Sequence, residues 1–350
     1  MIESTGILMH KDLQVAELLF VNAHPVEVKK VINQEHLPPG VDSAEAIVIW
    51  LEGRNMPFDR PFCEDVLRKY EIKSGSDFAG VSHNASITDC YWFADPEELQ
   101  EGIQWKDVNL RNLEWSMCGE ALFAGHPEGV EDLESPDFST GGFLPKVWMR
   151  EPDNIFLLKR DAYEGLNVFA EIASSEVARL LNISHVPYFF SVTSDEICSG
   201  CPCIITSDEE EMIPFSMLKK DIGSFPDYME QLGFSGEYSR MQVFDFLIGN
   251  NRMLSDISLV RSPDTLEVYG MAPLYDNGNA FFTEQSNTEK KMMMETAKKN
   301  IAAMEHIRLD ENEIYDILNR ISKEIEVEDI IQTYIDTFMK RVKLYNQLIK

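Results

Sequence analysis

The chain has 350 residues, of which 44% are hydrophobic and 26% are charged, and its 31 basic and 60 acidic side chains give a formal net charge of −29. The composition supports sizeable hydrophobic cores and argues against a globally disordered chain. Because so acidic a chain repels phosphate backbones and anionic lipids, we expect neither non-specific nucleic-acid binding nor attachment to an anionic membrane surface.

Three further features indicate the compartment. No segment reaches the roughly 18 apolar residues of a membrane span, and the first residues lack the basic region and apolar stretch of a signal peptide. Only 6 cysteines occur in the chain, which is typical of a reducing environment. We therefore expect a cytoplasmic protein without a membrane segment.

The front of the chain is predicted to mix strands and helices. Residues 6–20 alternate apolar runs around a turn and predict a β-hairpin. Ser43 can cap a helix that extends to about residue 53, and residues 61–69 fit a second helix. A boundary is predicted near residues 127–139, where glycine, proline and acidic residues crowd together.

The second part is predicted to run strand, glycine turn, strand and helix, with further strands and a helical end. Residues 167–181 carry apolar side chains at helical spacing and predict an amphipathic helix. The other predicted elements are strands at 147–150, 155–159, 188–192, 201–206 and 266–269, and helices at 242–248 and 287–350.

Two segments of the second part carry residues suited to phosphate binding. In Ser139-Thr-Gly-Gly-Phe-Leu-Pro-Lys146, a glycine pair lets backbone N–H groups approach phosphate oxygens, and the lysine adds charge. An ordinary hairpin turn is the alternative. Lys159 ends an apolar strand and could neutralise phosphates if Glu171 in the following helix held it. The alternative is an exposed lysine at a strand end and a solvated glutamate.

Two later segments suit metal binding and catalysis. In Met271-Ala-Pro-Leu-Tyr-Asp-Asn-Gly278, an apolar run delivers Asp276 into a glycine turn, which suits metal–phosphate binding. A common Asp-Asn-Gly turn is the alternative. Residues 246–257 read Phe-Leu-Ile-Gly-Asn-Asn-Arg-Met-Leu-Ser-Asp-Ile. This segment is a helix end followed by polar residues, and by itself it would pass as a plain loop.

In this order the four segments resemble the HipA-like kinases, in a form common in Gram-positive bacteria. That family carries a glycine loop ending in lysine, a strand lysine, a helix glutamate, a catalytic loop resembling N-E-D-R-H-x-x-N-F-G, and a metal-binding aspartate in P-[LI]-[YF]-D-S-G. The resemblance runs through nearly the whole chain and includes the segments at 6–12, 36–38, 105–109, 119–123 and 181–188.

The resemblance implies an α+β fold. Its parts are a two-lobed protein-kinase-like fold, an N-terminal α/β accessory domain and a helical C-terminal region. The implied domains are a family-specific N-terminal domain at 1–135, a kinase N-lobe at 136–210 and a mostly helical C-lobe at 211–350. ATP and Mg²⁺ would bind between the lobes, and phosphate would pass to a serine or threonine hydroxyl.

The resemblance also assigns roles to particular residues. Gly141, Gly142 and Lys146 match the phosphate loop, and Lys159 matches the phosphate-binding lysine with Glu171 as its ion-pair partner. Ile204 and Ile205 fall where the strand leads into the hinge between the lobes. Asp276 matches the metal-binding aspartate.

The catalytic loop departs from the family pattern. An ungapped match of residues 249–258 places Asn251 where the family has its catalytic aspartate, Met253 in place of the histidine and Asp256 in place of the metal-binding asparagine. Only Arg252 keeps its identity. Asn251 cannot accept a proton, and losing a positioned base costs about 10²–10⁴-fold in rate. Asp256 remains a good oxygen ligand, so Mg²⁺ could bind through Asp256 and Asp276.

Three functions remain open at this point. The first is an active ATP-dependent Ser/Thr kinase of the toxin type found in toxin–antitoxin systems. The second, which we favour, is a regulatory pseudokinase that binds Mg-ATP and transfers phosphate weakly or not at all. The third is an interaction protein that has lost nucleotide binding. The acidic front suggests a basic protein partner, either a substrate or a regulator, without identifying it.

Two conspicuous polar segments are predicted to be structural. Cys198, Cys201 and Cys203 lie close together, but a structural zinc needs four ligands and no histidine follows at ligand spacing. We expect Cys201 and Cys203 to share one face of a strand. The acidic run at residues 208–211 predicts a solvated loop.

Overall fold

The computed structural model describes residues 1–114, 118–152, 154–193, 195–218, 223–282 and 285–349. Its contacts divide the chain into two compact units. Unit 1 comprises Met1–Leu157, Ile205–Asp221 and Val260–Tyr269, and unit 2 comprises Leu158–Ile204, Ile222–Leu259 and Gly270–Lys350. The predicted division at 1–135, 136–210 and 211–350 concerns family domains and stays a prediction.

The strands, in chain order, are β1 (Glu3–His10), β2 (Leu13–Val21), β3 (His24–Val31), β4 (Tyr91–Ala94), β5 (Lys146–Glu151), β6 (Asn154–Arg160), β7 (Phe189–Thr193), β8 (Glu196–Pro202), β9 (Glu211–Pro214), β10 (Ser258–Arg261) and β11 (Val268–Met271). Boundaries between the units fall inside β6, β10 and β11.

The α-helices are α1 (Ala44–Arg54), α2 (Glu64–Lys69), α3 (Pro96–Glu101), α4 (Trp105–Val108), α5 (Cys118–Ala124), α6 (Leu166–Leu180), α7 (Phe215–Leu218), α8 (Phe225–Leu232), α9 (Ser235–Ile248), α10 (Asn287–Asn300), α11 (Glu311–Ile325) and α12 (Glu328–Leu348). Within the described residues, no helix combines the length and the hydropathy that crossing a membrane requires.

Unit 1 is built on an antiparallel sheet of order β3-β2-β1-β4. The predicted hairpin at 6–20 is confirmed by the pairing of β1 with β2. The predicted cap is also present, because the Ser43 hydroxyl accepts the Ala46 N–H at 3.2 Å where α1 begins. Apolar side chains of α1, β1 and β2 share one core cluster. Burial of this cluster anchors the helix on the sheet.

Unit 2 places β6, β8 and β7 side by side, with β7 and β8 antiparallel. The strands predicted at 147–150 and 155–159 and the helix predicted at 167–181 are confirmed as β5, β6 and α6. The helical end is confirmed as α10, α11 and α12. Phe281 packs against Phe169 of α6 and Phe338 of α12, with ring centroids 5.6 and 5.0 Å apart. These aromatic contacts form part of the helical core.

Two strand predictions are displaced, each for a local reason. The strand predicted at 201–206 ends at Pro202, because proline has no N–H to continue a ladder. Cys203 therefore lies outside β8, and the expected strand face shared with Cys201 is wrong. The strand predicted at 266–269 is β11, which begins at Val268. Leu266 has φ +61° and belongs to the preceding turn.

The acidic run at 208–211 is not a solvated loop throughout, and that prediction is wrong for Glu211. Its side chain is fully buried at the start of β9. The carboxylate accepts from Arg261 Nε at 2.7 Å and lies 2.9 Å from His10 Nε2. The Cys90 N–H also donates to it, at 3.2 Å. Burial would raise the pKa of Glu211, but His10 and Arg261 lower it to about 2.

The Glu211 network predicts a pH-dependent contribution to stability. The folded pKa lies below the unfolded value near 4.5, so the stabilisation is complete above pH 4.5 and is lost as the pH falls towards 2. We expect Glu211→Gln to lower the free energy of unfolding by on the order of 3 kcal/mol at pH 7, with a smaller deficit at pH 4. Urea unfolding at both pH values measures this. The exposed Glu209→Gln is the control, and equal effects of the two variants would contradict the prediction.

Candidate functional site

A buried lysine is the centre of the candidate site in unit 2. Lys159, at the end of β6, donates from Nζ to Glu171 Oε1 and to Asp276 Oδ1, each at 2.9 Å. The Tyr188 hydroxyl lies 3.4 Å from the same ammonium. We call these four residues the Lys159 cluster. The structure thus brings together three predicted site residues and adds Tyr188, which the sequence analysis did not single out.

The position of Glu171 follows from how α6 begins. Asp161 Oδ1 accepts the N–H groups of Asn167 and Val168 at 3.0 and 3.2 Å. A carboxylate at this position satisfies N–H groups that the helix itself leaves unpaired. Glu171 lies one turn further along, and its second oxygen accepts the Asn277 N–H at 2.8 Å. Helix α6 therefore holds both the ammonium and the backbone beside Asp276.

Asp276 has a backbone conformation suited to a functional position. Its φ is +56°, in the left-handed region that non-glycine residues seldom adopt. Such a conformation costs on the order of 1–3 kcal/mol and persists only where surrounding contacts enforce it. Here the Asp276 N–H donates to the Tyr188 hydroxyl at 3.2 Å, and its carboxylate accepts from Lys159.

The electrostatics of the cluster keep the ammonium charged. Burial would lower the pKa of Lys159, but Asp276 and Glu171 raise it well above its usual value. Burial raises the pKa of Tyr188, so its hydroxyl stays neutral. Side-chain exposure is 6% for Lys159 and 3% for Glu171, against 42% for Asp276. One carboxylate is therefore enclosed with the lysine, and the other is open to ligands.

Arg252 forms a second buried ion pair, and this pair contacts the residues on either side of Asp276. Its Nε and Nη2 contact the two oxygens of Asp245 at 3.0 and 2.8 Å. Its remaining donors reach the Tyr275 carbonyl at 2.7 Å and Asn277 Oδ1 at 2.6 Å. Asp245 belongs to the last turn of α9. Arg252 therefore ties the end of α9 to the residues on either side of Asp276.

The loop after α9 places the other predicted site residues near solvent. Asn251 is exposed, and Met253 is 65% exposed. Asp256 is partly buried and accepts from the Ser255 hydroxyl at 2.9 Å. Burial raises the pKa of Asp256, and the negative charge of Asp276 raises it further. The negative charges of these two carboxylates repel one another, and a divalent cation bound to them would offset that repulsion.

The two carboxylates are of the type and number that a magnesium ion sharing its coordination with phosphate would use. Among the described residues, no group of three or more His, Cys, Asp or Glu side chains is arranged for a metal ion. Mg²⁺ is usually held by one or two carboxylates together with waters and substrate phosphates. Asp256 and Asp276 supply that number of hard oxygen donors, and neither is fully enclosed.

The predicted phosphate loop belongs to unit 1. Gly142 has φ +92°, a left-handed conformation that favours glycine, and a Cβ there would lie 2.6 Å from the flexible end of the Lys146 side chain. Lys146 is buried and donates to the Gly141 carbonyl at 2.7 Å. The Ser139 hydroxyl donates to the Ala85 carbonyl at 2.7 Å. The loop is thus closely held, and its role in phosphate binding stays a prediction.

The predicted hinge and the cysteines are placed as follows. The division between the units falls between Ile204 and Ile205, while their contact with nucleotide stays a prediction. Cys198, Cys201 and Cys203 are buried, and none of the three takes part in a disulfide bond. Burial raises the pKa of Cys201 to about 12, so this thiol is neutral.

Two residues that organise the site, Tyr188 and Asp245, have no role predicted from the sequence. Tyr188 ends the segment 181–188 that resembles the family, but nothing in that segment assigns it a role. Asp245 had one signal, because it stands in the apolar run Phe244–Ile248, where an unpaired carboxylate would be costly. Neither signal identifies the partner, which is 7 residues away for Asp245 and 29 away for Tyr188.

Comparison with known proteins identifies a structural neighbour. No protein-family model and no curated protein matches the chain. HipA in the structure of the Shewanella oneidensis MR-1 toxin–antitoxin system HipA, HipB and its operator DNA is 13% identical, with a TM-score of 0.53 over 98% of this chain and 97% of that chain. The Helicobacter pylori proinflammatory kinase CtkA is 13% identical, with a TM-score of 0.44 over 58% of this chain and 90% of that chain.

The Arg252–Asp245 pair generates a stability prediction. We expect Arg252→Met to lower the free energy of unfolding by about 3–5 kcal/mol at pH 7, because it leaves a buried carboxylate without its partner. The deficit should be smaller at pH 5, where that carboxylate can take up a proton. Urea unfolding measures both values. The exposed pair Arg179–Glu176 provides the control, Arg179→Met, and a loss no larger than the control's would disprove the assignment.

Proposed function

We propose that this protein, which has the HipA-like kinase fold that the sequence predicted, binds Mg-ATP at the Lys159 cluster and transfers phosphate weakly or not at all. The observation that carries the proposal is the buried Lys159 ammonium, which donates to both Glu171 and Asp276. An enclosed, permanently charged ammonium next to a more open carboxylate suits a phosphate oxygen and its metal ion.

The residues of the cluster have separate roles in this proposal. Glu171 holds the Lys159 ammonium in place through an enclosed ion pair. Lys159 would neutralise phosphate oxygens, and Asp276 and Asp256 would hold Mg²⁺. When bound, Mg²⁺ would neutralise charge on the phosphate groups. Contacts of Gly141, Gly142 and Lys146 with phosphate, and of Ile204 and Ile205 with the base, are what the family resemblance implies and stay predictions.

The weak transfer rests on the loop that follows α9. Asn251 stands at the position of the family's base, and its amide can accept a hydrogen bond from a substrate hydroxyl but cannot take its proton. Losing a positioned base lowers the rate about 10²–10⁴-fold. Met253 replaces a second polar residue of the family loop. ATP binding would therefore persist while phosphoryl transfer is reduced, which is the behaviour of a pseudokinase.

An active Ser/Thr kinase of toxin type is the second candidate. The observation in its favour is that the Arg252–Asp245 clamp holds the residues beside Asp276. Phosphoryl transfer relies mainly on positioning and charge stabilisation. The S. oneidensis HipA is seen with HipB and operator DNA. For a chain of net charge −29, we propose a basic protein as substrate or regulator rather than direct contact with DNA.

Ligand-dependent stability tests the nucleotide site. We expect Mg-ATP at about 100 times its dissociation constant to raise the free energy of unfolding by about 2.7 kcal/mol. Lys159→Met and Asp276→Asn should each abolish this gain. Lys11→Met and Asp264→Asn, which break an exposed ion pair of unit 1, should retain it. Thermal unfolding with and without ATP and Mg²⁺ measures the effect. No gain in the wild-type chain, or equal gains in all variants, would overturn the proposal.

Restoring the base tests the reduced transfer. We expect Asn251→Asp to raise phosphate transfer by about 10²-fold or more, and Asn251→Ala to give no gain. Transfer is measured as ³²P incorporation into the chain itself and as ADP release. Adding Lys159→Met to Asn251→Asp should remove the gain. If the wild-type chain already transfers phosphate as fast as Asn251→Asp, the active kinase is the correct function.

A further inference from the structure

A buried arginine outside the predicted motifs holds the 139–146 loop. Arg60 lies in a turn between α1 and α2, where its carbonyl accepts the Cys63 N–H and its own N–H donates to Pro57. The side chain is 4% exposed. It belongs to unit 1, as does the loop. No feature of the sequence near residue 60 connects it with a segment about 80 residues later.

The Arg60 guanidinium is directed at the backbone of the loop. It donates to the Gly142 carbonyl from Nε at 3.0 Å and from Nη2 at 2.8 Å. Nη2 also donates to the carbonyls of Gly141, at 3.1 Å, and of Thr140. Three successive carbonyls therefore converge on one cation. Lys146 Nζ reinforces the arrangement at the Gly141 carbonyl.

The direction of the carbonyls determines the direction of the amides. A trans peptide unit is planar, and its C=O and N–H point in opposite directions. No cis peptide occurs in the described residues. The N–H groups of Gly141, Gly142 and Phe143 therefore point away from Arg60. Because the three carbonyls converge, these N–H groups spread apart, and a glycine turn can then offer them to several oxygens of one anion.

The Arg60 guanidinium beneath the loop is positively charged, and the nearby Asp137 carboxylate offsets part of that charge. Burial lowers the pKa of Arg60 to about 10, against the influence of Cys63 and Asp137, so the guanidinium is charged at neutral pH. Asp137 accepts from the Ser135 hydroxyl and from the N–H groups of Gly119 and Trp148. Burial raises the pKa of this carboxyl to about 6. The donors of Arg60 go to carbonyl oxygens, including that of Asp137 at 3.4 Å.

We propose that Arg60 is a positioning residue that presents the amides of the 139–146 loop to the polyphosphate group of a nucleoside triphosphate. The inference rests on the proposed function and adds a residue from the front of the chain to it. Arginine suits the role because its planar fork of five donors can bind several carbonyls at once. A lysine keeps the charge but not the fork.

The test compares Arg60→Lys with the wild-type chain by isothermal titration with Mg-ATP and with adenosine. We expect ATP affinity to fall about tenfold or more, as for the loss of hydrogen bonds to a charged group, while adenosine affinity stays unchanged. Arg111→Lys is the matched control. Arg111 is also buried in unit 1, but it donates to the Asp208 carboxylate and the Ile87 carbonyl, at 3.1 Å each. Both affinities should be unchanged in the control.

A second measurement reports on the loop without any ligand. The Trp148 indole N–H donates to the Thr140 hydroxyl at 2.8 Å. In chains labelled with 5-fluorotryptophan, with the signal assigned through Trp148→Phe, we expect the Trp148 ¹⁹F resonance to shift or broaden in Arg60→Lys. It should stay in place in Arg111→Lys.

The outcomes separate this inference from the proposed function. A selective loss of ATP affinity together with a changed Trp148 resonance supports the positioning role. If ATP and adenosine weaken equally, or neither changes, the role of Arg60 is overturned while nucleotide binding stands. A wild-type chain that binds adenosine as tightly as ATP also overturns it. A wild-type chain that binds neither ligand overturns the proposed function and this inference with it.

Discussion

The buried ammonium of Lys159 is the constraint on which the site in unit 2 depends. Removing such a charge from water costs several kcal/mol unless paired groups surround it. Glu171 supplies the enclosed partner, and that role requires α6 to begin where Asp161 caps it. Asp276 supplies the second partner and accepts a left-handed backbone to do so. One buried charge thus requires partners from the first turns of α6 and from the turn after β11, in addition to its own strand β6.

The three residues 275–277 are held independently by two ion pairs. Lys159 with Glu171 binds the Asp276 carboxylate and the Asn277 N–H. Arg252 with Asp245 binds the Tyr275 carbonyl and the Asn277 side chain. A plain Asp-Asn-Gly turn needs none of these contacts. The contacts with two buried ion pairs distinguish the turn at 275–277 from an ordinary surface loop.

Local patterns predicted much of this organisation, and long-range contacts account for what was missed. Lys159 ends an apolar strand, Glu171 lies in the predicted helix that follows and Asp276 follows an apolar run, so local patterns together with the family resemblance single them out. Tyr188 and Arg60 did not, because a phenol or guanidinium acquires its role only from partners brought near by the fold. The acidic neighbours of Glu211 in the chain wrongly predict a solvated residue. Its burial depends on His10 and Arg261, which are 201 and 50 residues away.

The discontinuity of unit 1 has a consequence for how the protein is made. Its last segment, Val260–Tyr269, includes Arg261, the partner of Glu211. During synthesis, β1 to β4 and Glu211 leave the ribosome well before that arginine does. Domains generally fold as units during translation. Here, however, the Glu211 carboxylate is synthesised 50 residues before Arg261, its buried partner. Unit 1 can reach its final packing only after most of the chain, including much of unit 2, has been translated.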